Sequence, residues 1–362
     1  MLKILIAAST YPPDPGGPSI HAHAQVEGFK ERGAEVSLVA LAHYRMWPIG
    51  IRHFLYFVNV LYTARKVDVV YAHDAVGAGI PALVAARICG KKFVVRVGGD
   101  LAWEREAEKG NARLSFKEWY RAGLHRDNTL FKLSRFLLRS SDAAIVPSAL
   151  LAHIYETYYG VSKKVIHIVP NPIPKIAGTT FQTESNTILF ASRLVAYKNL
   201  AFVLEVLAPI LKAHPKIKFL IMGDGPEREN LQKLSDNLDM VNQVIFTGSV
   251  PQSRVLEETA SCLFVIAPAL TEFNPNYVLQ AVGLGKPFLI SQENGLPFEV
   301  PKEYTFNLSD KAELKDKVEN LLRTSGYIQA QEYVKGIGFD MTWEKCLDAN
   351  FAILGSLLQA YK

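Results

Sequence analysis

The stretch Thr187-Ile-Leu-Phe-Ala191-Ser192-Arg193-Leu-Val-Ala-Tyr-Lys198-Asn199 passes from a continuous apolar run into a basic, polar loop. A run without alternation suits a strand covered on both faces. Helical patterning follows it, and the same pairing recurs along the chain. In the first half, strands are predicted at Leu2–Ala8, Glu35–Leu41, Asp68–Ala72, Lys92–Val97, Asp142–Pro147 and Val165–Val169. A second set follows at Thr187–Ala191, Ile217–Met222, Gln243–Thr247, Cys262–Ala267, Pro287–Ser291 and Tyr304–Asn307. Strand–helix alternation twice over predicts an α/β chain of two Rossmann-like, doubly wound parallel-sheet domains.

Between the sets lies Val169-Pro-Asn-Pro-Ile-Pro-Lys175 and a polar stretch to Asn186. Three prolines in five residues cannot continue a helix or a central strand. The expected domains are therefore residues 1–170 and 171–341, with a last helix, 342–362, completing the first. Helix starts are marked by Pro18 after Gly17, Pro226 after Gly225, and Asn274-Pro275; the first of these helices stops at Gly33.

A length of 362 residues agrees with two domains. With 49% hydrophobic and 21% charged residues, the chain has enough apolar surface to exclude general disorder. No short repeat is present, which argues against solenoids and propellers. The net charge of +5 is unevenly spread: residues 1–175 hold 23 Lys+Arg and 14 Asp+Glu, the remainder 17 and 21. Such asymmetry suits either an anionic partner for the first half or a solvated basic face. Cys89, Cys262 and Cys346 are isolated, which fits a reduced, cytoplasmic protein without structural zinc, each thiol acting as a small buried hydrophobe.

The apolar N-terminus, Met-Leu-Lys-Ile-Leu-Ile, is short and reads as a buried first strand rather than a signal peptide. Arg52, His53 and Asn59 interrupt Ile49–Ala64, so it is no spanning helix. It is either a core helix or an interfacial one with Trp47, Phe54, Tyr56 and Phe57 on lipid. Trp103–Arg139 carries nine Lys/Arg and five Asp/Glu among Phe116, Trp119, Tyr120, Phe131 and Phe136. That suits either a lipid-linked or anionic acceptor or a solvated helix pair with its aromatics turned inward. Nucleic acid is the rival anion, but no nucleic-acid-binding signature accompanies the charge.

Ligands of open α/β sheets bind beyond the carboxyl ends of the strands. The residues there are Ser9–Ser19, His73-Asp74 and Gly98-Gly99-Asp100 in the first half. In the second they are Ser192–Asn199, Gly223-Asp224-Gly225, Gly248-Ser249 and Leu270–Tyr277. Gly16 and Gly17 lack dinucleotide spacing but let backbone amides approach an anion. Arg193 and Lys198 can converge on a diphosphate, one as a fork and one as a point charge, or remain two solvated cations. Glu272 precedes a helix start whose amides, at Asn276 and Tyr277, would point at a phosphate; its plainer role is complementing the helix dipole.

Six motifs in order resemble the family 4 retaining glycosyltransferases of the two-Rossmann-domain, or GT-B, fold. They are Pro-Pro-Asp-Pro-Gly16-Gly17, Pro170-Asn171-Pro172, Ser192-Arg193 with Lys198-Asn199, Gly223-Asp224-Gly225-Pro226, Thr247-Gly248-Ser249-Val250, and the Glu272 segment. The resemblance implies two domains facing across a cleft, and transfer of a hexose-type sugar from a UDP- or GDP-type donor to a glycan or lipid-linked acceptor, with retention. It implies catalytic roles for Glu272, Arg193, Lys198 and Asp100. Arg193 and Lys198 would grip the diphosphate, Glu272 the sugar hydroxyls, and Asp100 the sugar side of the cleft. Gly16, Gly17, Gly223, Asp224, Val250, Phe273, Asn274, Asn276, Tyr277 and Gln280 would complete the donor site, the loop at Val250 holding the base. The family places a second glutamate where this chain has Gln280, whose neutral amide bonds a ribose hydroxyl more weakly than a carboxylate.

No Asp-x-Asp is present and fixed cations are, so no metal or other cofactor is expected. The expected location is cytoplasmic, peripheral to the inner face of a membrane. Two further readings are a nucleotide- or glycan-binding relative without turnover and a sugar-nucleotide epimerase on the same fold.

Overall fold

A computed structural model describes residues 1–14, 16–110, 114–173 and 185–359. The chain forms two compact units. The first comprises Met1–Trp103, Trp119–Pro172 and the C-terminal helix from Trp343; the second comprises Glu104–Glu118 and Ile173–Thr342. Glu104–Glu118 thus belongs with the second unit, although the sequence places it inside the first half. Most of the expected join, residues 174–184, lies outside the described residues.

The first unit runs β1 (Lys3–Ala8), α1 (Gly17–Glu31), β2 (Glu35–Ala40), α2 (Ile49–Ala64), β3 (Val69–Ala72), α3 (Gly79–Ile88) and β4 (Lys92–Arg96). Next in the chain come α4 (Leu101–Glu108) and α5 (Phe116–Arg121), each divided between the two units. The first unit then continues with α6 (Thr129–Ser140), β5 (Ala143–Val146), α7 (Ala149–Thr157) and β6 (Ile166–Ile168). All strand pairs are parallel, in the order β2-β1-β3-β4-β5-β6. β3 and β5 are buried throughout, as unbroken apolar runs require. Helix starts are capped by side chains where the chain offers them: Asn128 accepts from the Phe131 amide, and Ser148 from that of Leu151.

The second unit runs β7 (Thr187–Ala191), α8 (Leu200–Ala213), β8 (Lys218–Met222), α9 (Arg228–Asn237), β9 (Val244–Gly248), α10 (Gln252–Ser261) and β10 (Phe264–Ala267). Then come α11 (Asn276–Gly283), β11 (Phe288–Ser291), β12 (Thr305–Phe306), α12 (Lys311–Leu322) and α13 (Thr324–Gly336). Its parallel sheet has the order β12-β11-β10-β7-β8-β9. α14 (Trp343–Gln359) returns to the first unit, where buried Asn350 meets Gln25 of α1 and the Tyr71 hydroxyl of β3 at 3.2 and 2.8 Å. A buried polar triad of this kind fixes where α14 seats, because each member left alone would lose its partner.

Each sheet reverses its strand order once, between β1 and β3 in the first unit and between β7 and β10 in the second. Those switch points are where open sheets take ligands. α2 is neither wholly core nor wholly interfacial. Tyr56, Val60 and Ala64 are buried along one stripe, while Trp47, Ile49, Phe54 and Tyr62 are more than half exposed. The aromatics of Trp103–Arg139 are inside, with Phe116, Trp119, Tyr120 and Phe131 buried; Phe136 is the exception and is exposed. Cys262 and Cys346 are buried, whereas Cys89 is only partly so. Among the described residues no helix is long and apolar enough to cross a membrane.

Candidate active site

The loops after β7, β8, β9 and β10 are tied to one another through backbone. The Ser192 amide donates to Met222 O at 3.0 Å and the Leu194 amide to Asp224 O at 2.9 Å. The Gly223 amide donates to Gly248 O at 2.9 Å, and the Leu270 amide to Tyr197 O at 2.8 Å. This closeness explains Gly223. Its φ is +137°, and a Cβ there would stand 2.0 Å from Ser192 O, so no other residue fits.

Lys198 sits in a short turn after β7, and Glu272 follows β10 across the switch point. Lys198 Nζ donates to both carboxylate oxygens of Glu272, at 2.8 and 2.9 Å. Both side chains are buried, 11% and 5% exposed. Burial alone would lower the Lys198 ammonium, but the charge and hydrogen bonds of Glu272 outweigh it and leave the group above its ordinary value. Glu272 is held from behind, since its amide donates to Glu293 O at 3.1 Å and its carbonyl accepts from Gly295 at 2.7 Å. It precedes α11 by several residues, so complementing the helix dipole does not explain it.

Phe273 is buried and meets Phe116 edge to face at 4.7 Å. α11 begins at Asn276, two residues past Asn274, and the amides of Val278 and Leu279 turn back onto Pro275 O. The Tyr277 hydroxyl donates to Ile266 O at 2.8 Å, and burial with the nearby Glu272 charge pushes it well up. Gln280 is buried, with an Oε1 that has no partner among the described residues. Asp224 is committed to the Gly225 amide and to Arg228. Val250 packs against the core and lines a cavity of about 290 Å³ with Leu220, Met222, Thr247 and Arg254.

Two carboxylates missed by the sequence reading belong to this unit. Glu108 of α4 bridges Arg193 at 2.9 Å. Glu293 accepts from the Ser115 hydroxyl, the Lys117 amide and the Thr271 hydroxyl at 2.7–3.0 Å, while the Phe116 amide donates to Thr271 Oγ1. This set docks 115–117 beside Glu272. Glu293 follows β11, so inspecting every strand end would have found it.

In the first unit, Gly16 has φ +106° and heads α1 without a side-chain cap. Asp100 is wholly buried. It accepts from the hydroxyls of Tyr120 and Tyr159 at 2.9 and 2.6 Å and from the Trp103 amide at 2.9 Å. Burial raises its carboxyl, with the hydrogen bonds opposing. Its oxygens are taken up inside the domain, where they cap α4. Among the described residues no cluster of His, Cys, Asp or Glu has the makings of a metal site.

Two parallel Rossmann-like sheets with loops gathered at their switch points define a GT-B type protein. The chain belongs to the family 4 glycosyltransferases. The family profile described as Glycosyltransferase Family 4 matches residues 15–175, and that described as Glycosyl transferases group 1 matches 174–335. The chain is 25% identical over 198 residues to the gpi3 component of the phosphatidylinositol N-acetylglucosaminyltransferase of Schizosaccharomyces pombe, covering 54% of this chain and 39% of that protein. It is 27% identical over 180 residues to alpha-monoglucosyldiacylglycerol synthase of Streptococcus pneumoniae, covering 46% and 41%. It thus spans less than half the length of these two curated relatives. Among solved structures, sucrose-phosphate synthase from Thermosynechococcus elongatus aligns with TM-score 0.76 at 14% identity over 99% of this chain and all of that one. Anabaena HepE in complex with UDP-glucose aligns with TM-score 0.74 at 15% identity over 98% and 100%.

Proposed function

We propose that the protein moves a hexose-type sugar from a UDP- or GDP-type donor to a glycan or lipid-linked acceptor with retention of anomeric configuration. The observation that carries this reading is the buried Lys198–Glu272 salt bridge at the switch point of the second sheet. A leaving diphosphate needs preorganised positive charge, and such groups contribute several kcal/mol in a site shielded from water. Lys198 supplies a fixed cation. Arg193, exposed and bridged to Glu108, can exchange that carboxylate for a phosphate oxygen. Glu272 remains as acceptor for sugar hydroxyls, and Gln280 Oε1 offers a ribose hydroxyl a buried acceptor that is otherwise unused. The fixed cations take the place of a metal. The departing phosphate receives the acceptor's proton, and attack comes from the face it leaves. The relatives' names, which concern phosphatidylinositol and diacylglycerol glycosylation, agree with a lipid-linked acceptor. The test is the anomer formed from a UDP- or GDP-hexose in excess chelator, read by proton NMR coupling. Retention is expected; inversion, or silence without metal, removes the mechanism.

The same reading brings the first unit to an anionic membrane surface through α2. Met46, Trp47, Ile49, Ile51, Phe54 and Tyr62 are exposed there. Residues 41–67 carry Arg45, Arg52, Arg65 and Lys66 and no Asp or Glu. An apolar face rimmed by cations alone suits acidic headgroups. Flotation with vesicles containing anionic lipid should carry the protein, and W47S/F54S should release it. Equal recovery of the two proteins would dismiss this face.

A further inference from the structure

The first unit holds a buried cation with no acidic partner among the described residues. Arg96 ends β4 and is 5% exposed, yet among the described residues no carboxylate lies within ion-pair distance of it. One guanidinium nitrogen donates to Asn171 Oδ1 at 2.8 Å, the group also bears on the Tyr71 hydroxyl, and the other terminal nitrogen is buried with no partner among the described residues. His73 immediately follows β3. The β3–β4 register sets Ala72 against Val95, so His73 stands beside Arg96 at the next pair. His73 Nε2 is also buried and unpartnered, as are His21 Nδ1 and Ser19 Oγ on the first turns of α1. His21 packs on the Trp343 ring at 4.8 Å, under the start of α14. The nearest acid in sequence, Asp74, is committed to the Ser9 hydroxyl and to the amides of Ala78 and Gly79.

Three unsatisfied polar side chains from three elements, His21, His73 and Arg96, therefore gather beyond the carboxyl ends of β1, β3 and β4, at the switch point of this sheet. The feature is costly unless filled, because a buried charge with an open donor loses its water without recompense. Arg offers a planar fork, the imidazoles further polar nitrogens, and the uncapped N-terminus of α1 a favourable dipole. His21 and His73 keep 8% and 7% exposure.

We propose that His21, His73 and Arg96 form a binding site for a phosphate group carried by the acceptor. The identity of the carrier rests on the glycosyl-transfer reading; the phosphate site does not. A tetrahedral anion presents several acceptor oxygens, which matches a donor set converging from separate elements better than a flat carboxylate does.

The experiment uses the full chain labelled with ¹⁵N-histidine and reads the ring nitrogens of His21 and His73 during titration with inorganic phosphate. Both rings should shift in the wild type and in Lys198→Ala, whose second-unit site is impaired. Arg96→Met should weaken the response at least tenfold, and Arg96→Lys should restore part of it, which separates loss of binding from loss of folding. Silent rings, or a response surviving in Arg96→Met, would overturn the site and mean that water satisfies these atoms. A UDP arm tests the carrier. Shifts induced by UDP and abolished by Lys198→Ala would give the phosphate to the donor and overturn the acceptor assignment. Silent rings leave the transfer reading standing, and absent turnover leaves the ring titration intact.

Discussion

The two switch points make opposite use of charge. In the second unit Lys198 and Glu272 face each other and satisfy both carboxylate oxygens. In the first, Arg96 lies beside two imidazoles with unpartnered nitrogens and has no counter-ion among the described residues. One site is complete before its ligand arrives. The other is complete only with one. A self-balanced pair favours rigidity, since the two groups hold each other in place without ligand. An unbalanced cation favours affinity, since the ligand supplies the missing charge.

The largest effect expected from breaking this contrast is at the balanced pair. Lys198→Ala leaves Glu272 buried and alone, so unfolding free energy should fall by about 3–5 kcal/mol. Turnover should fall by roughly 100-fold or more. The double variant K198M/E272M should recover most of the stability in urea titrations and none of the turnover. Recovery of both would show that the pair serves folding only.

A smaller effect is expected from acidification, and it comes from the first unit. Burial, and then the Arg96 charge, push His73 down to about 3. A histidine depressed on folding stabilises the native state above its unfolded value of 6.5, and that stability is lost as pH falls toward 3. Between pH 6.5 and 5 the loss from this group is about 2 kcal/mol. His73→Gln should flatten that slope; an unchanged slope in denaturant midpoints would place the sensitivity elsewhere.

The smallest effect on stability is expected at the exposed bridge. Arg193→Ala breaks an exposed contact with Glu108, which is worth about 1 kcal/mol or less. Its donor KM should nonetheless rise about tenfold, because phosphate gains more from a fork than a solvated carboxylate does. A stability loss without a KM change would reverse its role from binding to docking of α4.

Much of this was legible in the residues. All twelve expected strands form, with ends shifted by one or two positions, because continuous apolar runs between helical patterns leave few other foldings. The strand-end rule singled out the loops holding Lys198, Glu272, Gly223 and Ser19. It did not pair them. Lys198 and Glu272 lie 74 residues apart, and Ser115 and Glu293 lie 178 apart, so local pattern carries no trace of either bond. The attachment of Glu104–Glu118 to the second unit was hidden for the same reason. Phe116, Trp119 and Tyr120 read equally well as a lipid face or a core until packing turned them inward.

The sequence by itself determined two doubly wound sheets, their strand ends and the residue types waiting there, because periodicity and loop chemistry are local. Tertiary structure alone decided which charges are balanced. It closed Lys198 on Glu272, hid Asp100 behind two tyrosines, and left Arg96 with an open donor. Charge balance depends on which side chains meet across the sheet, and that is set by strand order and register rather than by neighbours in the chain.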